Sequence, residues 1–310
     1  RALPITSRPW IGLEANPEDV DKESLHAWQA LGVDFLSLGV QSFDDRRLEF
    51  LGRAHGARRA RECVALARQC GIETISVDLI YGLPGETLED WQPELATALE
   101  LQPDHLSCYQ LTIEPRTSFG FRHQRGRLIE LSAEEQANRF VSTHQILDEQ
   151  GFAAYEVSNF ATSDHHQSRH NRKYWNHTPY LGFGPSAHSF ASRHRWWNAR
   201  KIKPYMEKIR THQRPIDGCE ELSQATACLE HLMLGLRTPG GVDFSSFPGD
   251  RGPAIRQANL RLIDDLLTGG LATLDDNRLR PTLAGLAVAE SIARQFDLLE
   301  GVPPEVQGIC

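Results

Sequence analysis

Ile75-Ser-Val-Asp78-Leu-Ile-Tyr-Gly-Leu-Pro-Gly85 is an apolar strand that carries one acid, Asp78, and stops at a Gly-Leu-Pro-Gly turn. Three other stretches repeat the plan of an apolar run with a polar residue at its carboxyl end: Trp10-Ile-Gly-Leu-Glu14, Phe35-Leu-Ser-Leu-Gly-Val-Gln41 and Leu106-Ser-Cys-Tyr-Gln-Leu-Thr-Ile-Glu-Pro115. Between them lie helical patterns over 21–31, closed by Gly32, and 57–70, closed by Gly71, since glycine takes the left-handed stop conformation without steric cost. Thr87 and Asp90 resemble a capping box that opens a third helix toward Leu101. Strand and helix in strict alternation imply a parallel sheet with right-handed crossovers. In a β/α barrel the ligand lies across the carboxyl ends of the strands, so Glu14, Gln41, Asp78 and the segment from Thr112 to Glu114 are expected at one mouth.

The alternation stops near Pro115. Ser132-Ala-Glu-Glu135 opens a helix to about Gln150, and 154–160 reads as one more strand. Residues 163–198, rich in His, Arg, Asn, Trp and Gly, are expected to form a long functional loop. From about Pro215 the pattern is helical, over 222–236, 254–267 and 283–296, with a hairpin over 271–281; this suits a small winged-helix-like module. The expected division is a barrel over 1–162, a connecting segment over 163–214 and a helical domain over 215–310. The fold class is α/β. Only four barrel strands can be counted, and a parallel sheet with an uncovered first strand leaves backbone groups unpaired, so a partial (β/α)6 barrel lacking its first strands is expected.

A chain of 310 residues with 40% hydrophobic content can bury a full core. Its formal charge of -8 provides no electrostatic footprint for nucleic acid. It has no apolar run long enough to cross a bilayer and nothing like a signal peptide before the first strand, which makes a cytoplasmic protein the expectation. Its six cysteines are too few for a disulfide scaffold at this length, and Cys63 and Cys70 share the apolar face of a helix with Ala60, Val64 and Ala67. They read as core thiols.

Several segments together resemble the radical S-adenosylmethionine proteins of the coproporphyrinogen dehydrogenase group, and most of all the HemW branch of haem chaperones. They are Leu-Glu-Ala-Asn-Pro at 13–17, Gly-Val-Gln-Ser-Phe-Asp at 39–44, Leu-Gly-Arg-Ala-His at 51–55, Asp-Leu-Ile-Tyr-Gly-Leu-Pro-Gly at 78–85, Leu-Thr-Ile-Glu-Pro at 111–115, His-Asn-Arg-Lys-Tyr-Trp at 170–175 and Tyr-Leu-Gly-Phe-Gly-Pro-Ser-Ala-His-Ser at 180–189. The resemblance runs along the whole chain in order. It implies a [4Fe-4S] cluster, whose Cys-x-x-x-Cys-x-x-Cys ligands are not in this sequence, and S-adenosylmethionine as cosubstrate. Both that motif and the family's Gly-Gly-Gly-Thr-Pro loop would lie upstream of Arg1, so the chain as it stands is expected to be inert in radical chemistry.

The resemblance also implies roles for particular residues. Glu14, Gln41, Arg53, Asp78, Thr112 and His188 would bind S-adenosylmethionine, with the Arg53 guanidinium on the carboxylate of the methionine moiety and Thr112 beside adenine. His170, Tyr174 and Trp175 would contact haem, the imidazole as axial ligand and the two rings as an aromatic flank. The expected activity is delivery of haem to a haemoprotein partner, such as a membrane-bound respiratory enzyme; the alternative is oxygen-independent oxidation of coproporphyrinogen III at its propionate side chains. The cluster of histidines at 165, 166, 170, 177, 188 and 194 lacks fixed ligand spacing and accompanying cysteines, which argues against zinc. A hydrolase built on Glu14, Asp78 and Glu114 would leave Gln41 and Arg53 without a role.

Overall fold

Two-residue alternation in the strands decides which side chains of the first unit meet water and which meet helices. The computed structural model describes residues 8–299, and the chain divides into two compact units, Arg1–Arg169 and His170–Cys310. In the first unit the elements run β1 (Gly12–Ala15), α1 (Lys22–Ala30), β2 (Phe35–Gln41), α2 (Asp45–Phe50), α3 (Ala57–Gln69), β3 (Thr74–Tyr81), α4 (Leu88–Glu100), β4 (His105–Gln110), α5 (Ser118–Gln124), α6 (Ala133–Glu149), β5 (Ala153–Ala154) and β6 (Asn159–Ala161). The sheet order is β1-β2-β3-β4-β6-β5. Strands β1 to β4 are parallel, and β6 runs antiparallel to both β4 and β5.

One face of this sheet presents Leu36, Leu38, Ile75, Val77, Leu79, Leu106 and Cys108, packed with Cys63, Val64 and Ala67 of α3 and Trp91 and Leu95 of α4. Cys63 is fully buried and Cys70 packs on the edge of the same core. The helix starts are local. Asp21, Thr87 and Ser132 each close a capping box with the third helical residue, which satisfies amide groups that the first turn leaves without partners. Trp91 is the largest fully buried side chain, and its indole N–H donates to Thr143 Oγ1 of α6 at 2.8 Å.

Two sequence expectations change here. The stretch 154–160 is two short antiparallel strands rather than one, because the buried Glu156 carboxylate accepts from the Ser158 amide at 3.0 Å and from the Asn159 side chain and so closes a turn. The stretch 163–198 is not a loop throughout. It contains a helix, α7 (Arg169–Trp175), and two strands, β7 (His188–Ala191) and β8 (His194–Asn198). The charged and aromatic residues that make it look irregular pair across the ladder, with Ser189 opposite Trp196 and Phe190 opposite Arg195.

The second unit continues with α8 (Ile202–Arg210), β9 (Ile216–Glu221), α9 (Gln224–Leu236), β10 (Val242–Asp243), α10 (Gly252–Ala258), α11 (Leu260–Thr268), β11 (Ala272–Asp275), β12 (Arg278–Pro281), α12 (Leu283–Ala287) and α13 (Ala289–Ala293). It holds two antiparallel sheets, β7-β8-β9 and β10-β12-β11. The hairpin lies where the sequence puts it, over β11 and β12. The helix expected over 254–267 breaks at Asn259, whose buried side chain donates to the carbonyls of Ile255 and Asp297 and accepts from the Asp297 amide. The helix expected over 283–296 breaks at Val288. The core of this part gathers Leu232, Leu236, Phe244, Ile255, Leu279 and Ile292.

Leu79 is fully buried at the centre of the first unit's core. Leu79→Ala is expected to lower unfolding free energy by about 2–5 kcal/mol, read from the urea midpoint.

Candidate functional site

The carboxyl end of β2 is built around a glycine. A side chain at Gly39 would lie 3.1 Å from Gln41 Nε2, 3.2 Å from Arg53 Nη2 and 3.4 Å from Asn16 Oδ1, so the absence of a Cβ lets three polar side chains meet over the backbone. Arg53 Nη2 donates to Asn16 Oδ1 at 2.6 Å and to the Gly39 carbonyl at 3.0 Å. Gln41 closes the strand with φ at 68°, a left-handed conformation that costs a residue with a Cβ about 1–3 kcal/mol. Strain of this kind persists where the surroundings over-determine it, here a register shift between Leu38 and Gln41.

His55 holds this end together. Its ring is buried, with Nε2 2.9 Å from the Val40 carbonyl and Nδ1 3.1 Å from Glu18 Oε2, so it pins the Leu-Gly-Arg-Ala-His segment to β2 and to the turn after β1. It is a positioning residue for Arg53. Its place in the same short motif as Arg53 was the available signal.

Asp78 lies on the face of the sheet opposite the helices. Ser37 Oγ donates to its two oxygens at 2.9 and 3.0 Å, Ser76 Oγ is 3.4 Å from Oδ1, and Ser107, its register partner on β4, bonds to it as well. Three adjacent strands thus each supply a hydroxyl. Burial pushes the Asp78 carboxyl up to about 6, and the negative charge of Glu14 adds to the effect while the serine hydroxyls oppose it. Ser76 also meets His105, whose Nδ1 is 2.8 Å from Ser76 Oγ and whose Nε2 is 2.8 Å from the Tyr155 hydroxyl. Burial lowers the His105 pKa to about 3, so the imidazole is neutral and accepts one hydrogen bond while donating the other. No motif marks these serines or His105. The signal that reaches them is the alternation itself, with Ser37, Ser76, Asp78, His105 and Ser107 at positions that alternate with the apolar core residues of their strands.

Glu14 is exposed on β1, opposite Ser37 in register. Thr112 is exposed just beyond β4, where the Leu111 amide donates to the Tyr81 carbonyl at 2.8 Å and prolongs the pairing of β3 with β4. Glu14 and Gln41 therefore stand at the carboxyl ends of β1 and β2 and Thr112 just beyond β4, whereas Asp78, expected at a strand end, lies within β3, which continues to Tyr81; Arg53 joins Gln41 at β2.

In the second unit His170 and Tyr174 lie one helical turn apart on α7, both exposed, with rings perpendicular and 4.9 Å between centroids. Tyr174 meets Tyr180 at the same separation. Trp175 is half-buried under the Arg237 guanidinium, 5.4 Å from the ring centre. His188 opens β7, exposed, with its ring 5.8 Å from that of Trp197. The Gly-rich run before it folds back on β7. A Cβ at Gly182 would stand 2.1 Å from the His188 carbonyl, and Asn198 Nδ2 donates to the Gly182 and Gly184 carbonyls at 3.3 and 3.0 Å.

The cysteines of the described residues do not suit an iron-sulfur cluster. Cys63, Cys108 and Cys228 are buried apart in the two cores, and burial pushes the Cys63 thiol up to about 12. Among the described residues no three His, Cys, Asp or Glu side chains form a metal-binding group. His165 and His166 brace the start of β3 instead, through Glu73 at 2.8 Å and Thr74 Oγ1 at 2.9 Å.

Residues 2–97 match the radical SAM superfamily, and residues 222–288 match the HemN C-terminal domain. The fold agrees with the solved structure of coproporphyrinogen III oxidase (HemN) from Escherichia coli, at a TM-score of 0.74 and 22% identity over 92% of this chain and 69% of that one. The class is thus a radical SAM protein with a HemN-type carboxyl-terminal region. The heme chaperone HemW of Bacillus subtilis is 33% identical over 286 residues, 92% of this chain and 75% of the relative. That of Synechocystis is 37% identical over 241 residues, 77% of this chain and 58% of the relative. The chain belongs to the HemW family.

The raised Asp78 pKa has a pH signature. Between the ordinary aspartate range and about pH 6 the folded chain holds a proton that the unfolded chain has lost, so this group's contribution to stability falls as pH rises through that window and is level above it. Relative to Asp78→Asn, which cannot titrate, the native chain is expected to lose at most about 3 kcal/mol from pH 4 to pH 7, measured by urea unfolding across that range.

Proposed function

We propose that this chain is a haem-binding chaperone that passes haem to a haemoprotein. The observation that carries the reading is α7, where an exposed imidazole, His170, stands edge-on to exposed Tyr174 beside an anchored Trp175, in a chain whose relatives in Bacillus and Synechocystis are both named heme chaperones. A neutral imidazole is a ready axial ligand for haem iron, and aromatic rings complement the macrocycle. The Trp175 indole N–H is buried without a hydrogen-bond partner among the described residues. We read 163–214 as a connecting segment, in which α7 alone carries the haem contacts, between a barrel portion over 1–162 and a helical domain over 215–310. The acceptor is a haemoprotein such as a membrane-bound respiratory enzyme, and the setting is the cytoplasm.

The radical SAM class brings S-adenosylmethionine and a [4Fe-4S] cluster, which together supply radical chemistry when both are bound. The polar carboxyl ends of the first unit suit the cosubstrate. Arg53 is held over Gly39 with its guanidinium available to a carboxylate, and Glu14 and Asp78 offer acceptors for ammonium and hydroxyl donors. Gln41 and the main chain around Thr112 complete the set within the first unit.

Haemin titration tests the chaperone reading. The native chain is expected to shift the Soret band with saturation, and His170→Ala to lose that shift while its far-ultraviolet circular dichroism is unchanged; absence of saturable haemin binding by the native chain would overturn it. The cosubstrate assignment has its own readout in calorimetry with S-adenosylhomocysteine, an unreactive analogue. Removing the charged pair partner in Arg53→Ala should weaken binding by at least about tenfold.

A further inference from the structure

Helix α8 has no buried residue. Its rotation is nevertheless set. The Tyr205 hydroxyl accepts from the Gly184 amide at 3.1 Å, and Lys208 Nζ donates to the Ile216 carbonyl at 2.7 Å, so these two residues face the body of the second unit. Ile202, Met206 and Ile209 form one helical stripe on the flank of the helix beside Tyr205, and all three are exposed. Ile202 is 70% exposed, Met206 39% and Ile209 44%. The loop tied to Tyr205 through Gly184 carries two more apolar side chains outward, Leu181 at 57% and Phe183 at 71%.

The charge around this stripe is opposite to that of the chain. Residues 200–214 contain Arg200, Lys201, Lys203, Lys208, Arg210 and Arg214 against Glu207 alone, six positive and one negative, in a protein whose formal charge is -8. At 100° per residue, Lys203 and Arg210 fall within about 60° of Met206, along one border of the apolar stripe. An apolar stripe bordered by cations fits the surface of a bilayer, where the side chains enter the acyl boundary and the cations meet lipid phosphates. Nucleic acid would use the cations and leave the stripe in water.

We propose that α8, with the Leu181–Phe183 loop, is a reversible docking surface for a membrane rich in anionic lipid. This goes beyond haem binding and does not depend on it.

The test is co-sedimentation of the full chain with vesicles of phosphatidylcholine mixed with phosphatidylglycerol, against vesicles of phosphatidylcholine alone. Binding is expected only to the anionic vesicles and should fall as added salt shortens the Debye length below about 8 Å. Two variants divide the surface. Ile202→Gln with Met206→Gln and Ile209→Gln removes the stripe, and Lys203→Gln with Arg210→Gln removes its border. Each should cut the vesicle-bound to free ratio by at least about tenfold, with circular dichroism and haemin titration unchanged. The proposal is overturned if anionic vesicles do not sediment the chain, if neutral vesicles sediment it equally, or if both variants bind as the native chain does. A protein partner or a second copy as the true occupant would leave the chain in the supernatant, and so would overturn it as well.

Discussion

Asp78 sets the terms for the first unit. A carboxylate withdrawn from water in the middle of a parallel sheet is unfavourable unless hydrogen-bond donors converge on it. Here the donors are hydroxyls of Ser37, Ser76 and Ser107, from three neighbouring strands. Each must alternate with core residues such as Leu38, Val77 and Leu106, so the register that satisfies the acid is also the register that buries the apolar face against α3 and α4. A slip of one residue would put the serines in the core and the leucines on the polar face. Site and fold are therefore specified by the same alternation.

The network around Asp78 extends across the sheet through Ser76, His105 and Tyr155. Because His105 is kept neutral by burial, this chain of bonds carries no second charge into the sheet. Glu14 is exposed nearby, and Arg53 stands at the adjacent strand end. The arrangement is a fixed polar surface with a charged rim, suited to a small zwitterionic ligand.

The second unit works on a different principle. Its functional candidates are aromatic and imidazole side chains presented outward from short elements, and the backbone beneath them is held by polar side chains. Asn198 ties the carbonyls of Gly182 and Gly184, Ser189 bonds the Gly182 amide and Tyr205 the Gly184 amide. Apolar groups such as Phe183 and Ile202 can stay exposed because the segments that bear them do not depend on burying them.

The strand-helix alternation of the first half, the helix caps at Asp21, Thr87 and Ser132, the C-terminal hairpin and the polar residues Glu14, Gln41 and Asp78 on successive strands were all legible in the sequence, because each depends on neighbours within a few residues or on a period of two. Family motifs added Arg53, His170 and His188, for which local patterning has no explanation. Tertiary structure alone decided the rest. That Asn259 breaks a continuous helical pattern depends on Asp297, 38 residues away. The strands β7 and β8 depend on pairing with each other and with β9, which overrides their charged and aromatic composition. The roles of Ser37, Ser76, Ser107 and His105 arise only when parallel strands lie side by side. A sequence encodes which residues are polar, but it takes the register between distant strands to decide which polar groups meet.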